Sequence, residues 1–149
     1  MAFHNIVGQW GEKLAQEYLI TKGYTLRELN WHVNHYELDI VAEYKGKIVF
    51  VEVKTRTTEF LTPDFALNER KQQFLVRAGT SYIKMYNLSL PMQFDAIIII
   101  GTPQQYTLKH LDNFIRPKVK TYHRGYSLRG RTYRKPLAPS RESKEDGEK

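Results

Sequence analysis

The order of periodic segments in this chain predicts an α/β fold, a mixed sheet with helices packed on it. Three observations carry that prediction: two segments with apolar residues at helical spacing, several aliphatic or alternating runs, and a strand–helix–strand passage that needs a crossover. Residues 5–22 set Leu14, Ala15, Tyr18 and Leu19 on one helical face, with Asn5 as the expected cap and Gly23 in the stop position. Residues 24–30 read as a first strand, and residues 31–36 as a polar turn. Residues 37–44 and 47–54 read as two strands joined by Lys45-Gly46, a two-residue hairpin signal. Residues 55–67, with Pro63-Asp64, read as a loop. Asn68 is placed to cap a helix running to Tyr86, with Phe74, Leu75, Ala78 and Tyr82 on its buried face. Residues 94–100 form an apolar strand expected to be buried on both faces. Gly101-Thr102-Pro103 then turns the chain into a last strand, residues 106–111.

A length of 149 residues with 41% hydrophobic content suits one domain around one core. No apolar run approaches the 18 residues a membrane helix needs, and the first residues lack the pattern of a secretory signal. A cytoplasmic protein without a membrane partner is therefore expected. The absence of cysteine excludes disulfides and thiolate metal sites.

The charge is unevenly placed. Residues 1–115 balance twelve basic against twelve acidic residues, whereas residues 116–149 hold eleven basic and four acidic, so the whole excess of +7 lies in the last quarter. Arg116, Lys118, Lys120, Arg124, Arg129, Arg131, Arg134 and Lys135 follow one another without an acid, interleaved with Tyr122, Tyr126 and Tyr133. Such cations neutralise phosphates and tyrosines stack on unpaired bases, so nucleic acid is the expected partner, DNA ahead of RNA. A folded domain, residues 1–115, is thus expected to precede a basic, flexible C-terminal extension, residues 116–149, disordered from Pro136 onward.

The hairpin carries the chemistry. With Lys45 and Gly46 as the turn, facing residues have numbers that sum to 91, which sets Asp39 opposite Glu52 and Glu37 opposite Lys54. Two carboxylates facing each other destabilise a sheet. The arrangement becomes useful if a divalent cation sits between them, since Mg²⁺ takes one or two carboxylates together with waters and phosphate oxygens. Lys54, two residues along the same strand face, would orient water or stabilise charge on a phosphoryl group. Glu-x-Lys occurs four times, but only the copy at Glu52 lies in an aliphatic strand, where charges are rarely buried unless paired or metal-bound. The structural alternative is a strand end closed by a Glu37–Lys54 ion pair.

Gly8-Gln9-Trp10-Gly11-Glu12, Gly23-Tyr24, Asn30, Glu37-Leu38-Asp39 and Val51-Glu52-Val53-Lys54-Thr55-Arg56, with Lys71, Ala78, Tyr82 and Phe94-Asp95, resemble the YraN-like family of small bacterial proteins over residues 5–115. The resemblance implies a three-layer restriction-endonuclease-like fold for residues 1–115, similar to archaeal Holliday-junction resolvases. It also implies a metal-dependent endonuclease using Mg²⁺ or Mn²⁺ on DNA, branched or structured DNA included. Asp39 and Glu52 would then be metal ligands, with Lys54 as catalytic lysine and Glu12 completing the acidic cluster. Resolvases make two cuts, so a homodimer is implied by analogy. The rival is a binding module or adaptor that keeps the fold without catalysis. Two positions depart from the family pattern: Tyr36 stands where Gly is usual, and Gln93 where Arg is common.

Other residues have plainer readings beside functional ones. Glu12 suits the first half of a helix by its charge alone. Lys71 opens the second helix, where it meets either a phosphate or solvent. His32 and His35 lack the companions of a zinc site and read as polar loop residues. Trp10 is expected in the core.

Overall fold

The computed structural model describes residues 2–58 and 68–115, with side chains from residue 5 onward. The expected Pro63-Asp64 loop and the whole basic extension lie outside the described residues. Helix α1 spans Ala2–Thr21, strands β1 Thr25–Val33, β2 Tyr36–Tyr44 and β3 Lys47–Arg56, helix α2 Glu69–Met85, and strands β4 Met92–Thr102 and β5 Gln105–Leu111. The five strands form one sheet in the order β1-β2-β3-β4-β5. Only β3 and β4 run parallel, and α2 lies in the connection between them.

Local chemistry places most of the boundaries. Lys45 and Gly46 both have positive φ, 48° and 74°, the signature of a type I′ turn that suits the twist of a hairpin. The ladder then runs from Tyr44↔Lys47 to Ile40↔Val51, so the expected register holds. Helix α1 closes in a Schellman arrangement: Tyr24 N–H donates to Leu19 O and Gly23 N–H to Ile20 O, both at 3.0 Å, with Gly23 at φ 93°. Asn68 caps α2, its side chain accepting from Arg70 and Lys71 N–H at 3.0 and 3.3 Å.

Two expectations need correction. Asn5 does not cap α1 but lies within it, because no Gly or Pro precedes it and each added residue gains a helical hydrogen bond. Residues 31–36 are not a turn. The strands run on to Val33↔Tyr36, leaving only Asn34-His35 to reverse the chain, with Asn34 at φ 53°. Tertiary packing overrides the polar composition there: Trp31 is buried and meets Tyr82 edge-on at 5.2 Å.

The sheet is the middle of three layers. On one face Val41, Ile48, Phe50 and Phe94 pack against Leu75, Ala78 and Tyr82 of α2. On the other, Ile40, Ala42, Val49, Val51, Ile97 and Ile99 pack against Ala15 and Leu19 of α1. Strand β4 is buried on both faces from Phe94 to Ile99, as its aliphatic run predicts. The architecture is three-layer α/β with a mixed sheet, consistent with the restriction-endonuclease-like expectation.

Gly101, at φ 125° opposite Tyr106, lets β4 turn into β5, and a Cβ there would overlap the Gln105 carbonyl. Gly101→Ala is therefore expected to cost about 1–3 kcal/mol of folding free energy, read as a lower urea midpoint at unchanged slope.

Candidate active site

The β2–β3 ladder ends at Ile40↔Val51, one residue short of the expected Asp39–Glu52 pair. In place of a backbone carbonyl, Asp39 Oδ2 accepts the Val53 N–H at 2.8 Å. The carboxylate thus satisfies a strand donor while the two strands part. The break in alternation around it has a second sign. Leu38 packs in the α2-side core and Ile40, two residues on, in the α1-side core. Regular alternation would put both on one face. In the neighbouring strand, Asn30 adopts φ 48° between Leu29, partner of Ile40, and Trp31, partner of Leu38.

Glu52 continues the regular part of β3, aligned with Ala96 of β4, and is only 8% exposed. Its Oε1 lies 3.1 Å from Lys71 Nζ at the start of α2. Burial, then the charge of Glu52, raises the Asp39 carboxyl to about 7, with the Val53 N–H pulling the other way and Glu37 adding repulsion. Glu12 of α1 joins this group electrostatically. Burial and then Asp39 raise its carboxyl, while a hydrogen bond from the Asn30 side chain stabilises the charged form. Lys54 is lowered, first by burial and then by Arg56, against the attraction of Glu52 and Asp39. These mutual influences place Glu12, Asp39, Glu52 and Lys54 in one electrostatic neighbourhood.

Glu37 takes a different place from the expected one. The β2–β3 ladder does not extend to a Glu37–Lys54 pair. Glu37 instead faces His32 across β1–β2, its carboxylate 3.9 Å from Nε2. Lys71, read as a phosphate contact or a solvated residue, reaches inward to Glu52. Of the family departures, Tyr36 packs against Phe74 at 5.2 Å, and Gln93 donates to Asp95 Oδ1 at 2.9 Å. Trp10 is half-buried, edge-on to Tyr106 at 5.6 Å.

A cleft of about 520 Å³ opens beside the acids, between α1 and the end of β3, lined by Val7, Gly8 and Glu12 on the helix and Val53 to Thr57 on the strand. Arg56, read only as a motif residue, and Thr57 were given no functional role from the sequence. The period-two rule that links Glu52 to Lys54 reaches Arg56 one step later, which is the signal that would have found it.

The donor set suits a hard divalent cation. Asp39 and Glu52 supply carboxylate oxygens, and an added positive charge would remove the repulsion that Lys71 offsets only in part. Among the described residues no three acidic or histidine side chains converge as a ready-made cage. Any cation there would draw further ligands from water or from a phosphate, the usual habit of Mg²⁺. Among the described residues, too, no helix is long and apolar enough to cross a membrane.

Comparison with known proteins agrees with the motifs. The model of the uncharacterised protein family UPF0102 matches residues 11–99. A UPF0102 protein of Phocaeicola vulgatus is 38% identical over 120 residues, covering 80% of this chain and 99% of the relative. Counterparts from Bacteroides thetaiotaomicron and Flavobacterium psychrophilum are 40% and 36% identical, covering 78% and 76% of this chain and 98% and 96% of their own lengths. With the motif residues from Glu12 through Asp95 inside the matched span, the chain belongs to the UPF0102 family, the YraN-like proteins.

Proposed function

We propose that this protein is a metal-dependent endonuclease that hydrolyses phosphodiester bonds in DNA. The observation that carries the reading is the pair Asp39 and Glu52, two acids kept together at the parting of β2 and β3 although burial and repulsion raise Asp39 to about 7. A purely structural strand end gains nothing from that repulsion, whereas perturbed carboxylates beside a cleft are typical of functional sites. Asp39 and Glu52 would hold Mg²⁺ or Mn²⁺, which when bound supplies charge neutralisation at phosphate and activation of water. The Val53 N–H fixes the Asp39 carboxylate, so its remaining oxygen has one orientation. Lys54, destabilised as a cation by burial, is suited to orient water or meet charge that develops on the phosphoryl oxygens. Glu12 presents a third carboxyl, from α1, held by Asn30, to take a proton or a water hydrogen bond.

The substrate side of the proposal rests on charge. Arg56 at the cleft and the basic residues from Arg116 to Lys135 would contact phosphates, favouring DNA, with branched or otherwise structured DNA as the preferred form. A homodimer acting in the cytoplasm would supply two symmetry-related cuts.

A second reading, a nucleic-acid-binding adaptor without catalysis, is favoured by one contact. Lys71 already neutralises Glu52, as a retired site would need. The deciding experiment incubates labelled duplex, single-stranded, flap and four-way-junction DNA with wild type, Lys54→Ala and Asp39→Asn, in Mg²⁺, Mn²⁺ or EDTA. Metal-dependent cutting lost in both variants supports the nuclease. Binding without cutting in every sample supports the adaptor and removes the catalytic reading.

A further inference from the structure

Helix α1 contains two glycines beside β3, and they meet opposite surroundings. At Gly11 the helix touches the strand so closely that a Cβ would overlap the Thr55 hydroxyl, so only glycine fits. One turn earlier, at Gly8, a Cβ would have nothing among the described residues within 4 Å. Gly8 lies inside the helix without a positive φ, so neither backbone conformation nor packing against the described residues calls for glycine there. A glycine in a helix interior weakens the helix relative to alanine. What the missing side chain provides is space: from the contact at Gly11 the helix and strand diverge, and the cleft opens between them.

That cleft has the size of a small-ligand site and a lining with two characters. Lys54 and Arg56 carry positive charge and Thr55 and Thr57 hydroxyls, whereas Val7 and the bare Gly8 backbone form the opposite wall. Glu12, part of its lining, interacts electrostatically with Asp39. A phosphate suits the cationic strand side, and a sugar or base the plain helix side. We propose that this wedge seats one unpaired nucleotide of the DNA strand next to the bond that is cut, and that Gly8 keeps it open. The inference deepens the nuclease reading and rests on it for the position of the cut. A nucleotide stacked within a duplex cannot enter a site of this size, so the site selects strands that are frayed, flapped or branched.

The test compares wild type, Gly8→Ala and Gly8→Leu, all with the intact C-terminal extension. Thermal melting is measured beside anisotropy with a fluorescent five-thymidine oligonucleotide and with a blunt duplex, at salt high enough to weaken contacts made by charge alone. Both variants are expected to melt a few degrees higher than wild type. Gly8→Leu is expected to bind the oligonucleotide at least tenfold more weakly, with duplex affinity unchanged and Gly8→Ala between. Unchanged oligonucleotide affinity in Gly8→Leu overturns the proposal, as does an equal loss for the duplex. A loss confined to the unpaired strand supports the wedge even where wild type cuts nothing, an outcome that overturns the nuclease reading alone.

Discussion

Lys54→Ala and Asp39→Asn are each expected to lower metal-dependent DNA cleavage by about 10²–10³-fold, the usual effect of removing one preorganised charge-stabilising group. Loss of activity alone would not distinguish chemistry from misfolding, but Asp39→Asn carries a second expectation of opposite sign. An asparagine oxygen can still accept the Val53 N–H, so the parting of β2 and β3 should persist. The charge is what disappears. In the folded protein Asp39 titrates near 7, against an ordinary 3.8. Between those values the native state holds a proton that the unfolded chain has released, so stability falls as pH rises and is lowest above 7. Each tenfold change in proton affinity corresponds to about 1.4 kcal/mol, so the ionised pair costs on the order of a few kcal/mol at pH 8 without metal. Glu12, also raised, acts in the same direction. In EDTA, Asp39→Asn should therefore be more stable than wild type at pH 8, by a smaller margin at pH 5, with the difference vanishing only as pH falls below the unfolded value. Added Mn²⁺ should stabilise wild type at pH 8 and leave the variant unmoved. Thermal melts at the two pH values check this; a variant less stable than wild type at pH 8 would show that Asp39 is a structural acid.

Asp95→Ala is expected to destabilise the fold by about 3–5 kcal/mol, the cost of breaking a buried charged network by removing one partner. Asp95 is fully buried and accepts four hydrogen bonds: from Asn113 N–H and Gln93 Nε2 at 2.9 Å, His110 Nε2 at 2.8 Å and the Tyr24 hydroxyl at 3.4 Å. His110 Nδ1 lies 3.2 Å from the Tyr18 hydroxyl, so the network extends from β4 through β5 to α1. Burial would raise the Asp95 carboxyl, but the hydrogen bonds from His110, Asn113 and Gln93 outweigh it and hold it below the usual range. A depressed carboxyl stabilises the fold above its unfolded value near 3.8, and that stabilisation is lost as pH falls through the folded value. The alanine variant should therefore show the deficit at pH 7 in urea denaturation and a smaller one in acid. Asp95→Asn, which keeps an acceptor but turns a donor toward one of four donors, should cost about 1–3 kcal/mol. Against total stabilities of about 5–15 kcal/mol, the alanine change removes a third or more.

The hairpin that carries the two acids was legible because it depends on local rules. A Lys45-Gly46 turn sets the register from Tyr44↔Lys47 to Ile40↔Val51 without help from the rest of the molecule, though the ladder stops one residue short of an Asp39–Glu52 pair. Strand β4 was legible from its aliphatic run, and α2 from Asn68 and the spacing of Leu75, Ala78 and Tyr82. The failures arose where distant parts of the chain decide. Trp31 drew residues 31–33 into β1 by packing on Tyr82, fifty-one positions away, against a polar local composition. The same extension of β1 pairs His32 with Glu37, while the β2–β3 ladder stops before a Glu37–Lys54 pair.

Residue order by itself determined the element sequence, the family motifs and the hairpin register that carries Asp39 and Glu52 to its end. Each follows from spacing within a turn, a strand or a helix. Only the tertiary structure decided that Asp39 caps the Val53 N–H, that Lys71 reaches Glu52, and that Gly11 meets Thr55 while Gly8 meets nothing among the described residues. Those facts depend on how α1 and α2 sit on opposite faces of the sheet. Their angles are set by the side chains of both cores, and no periodicity within one segment records them.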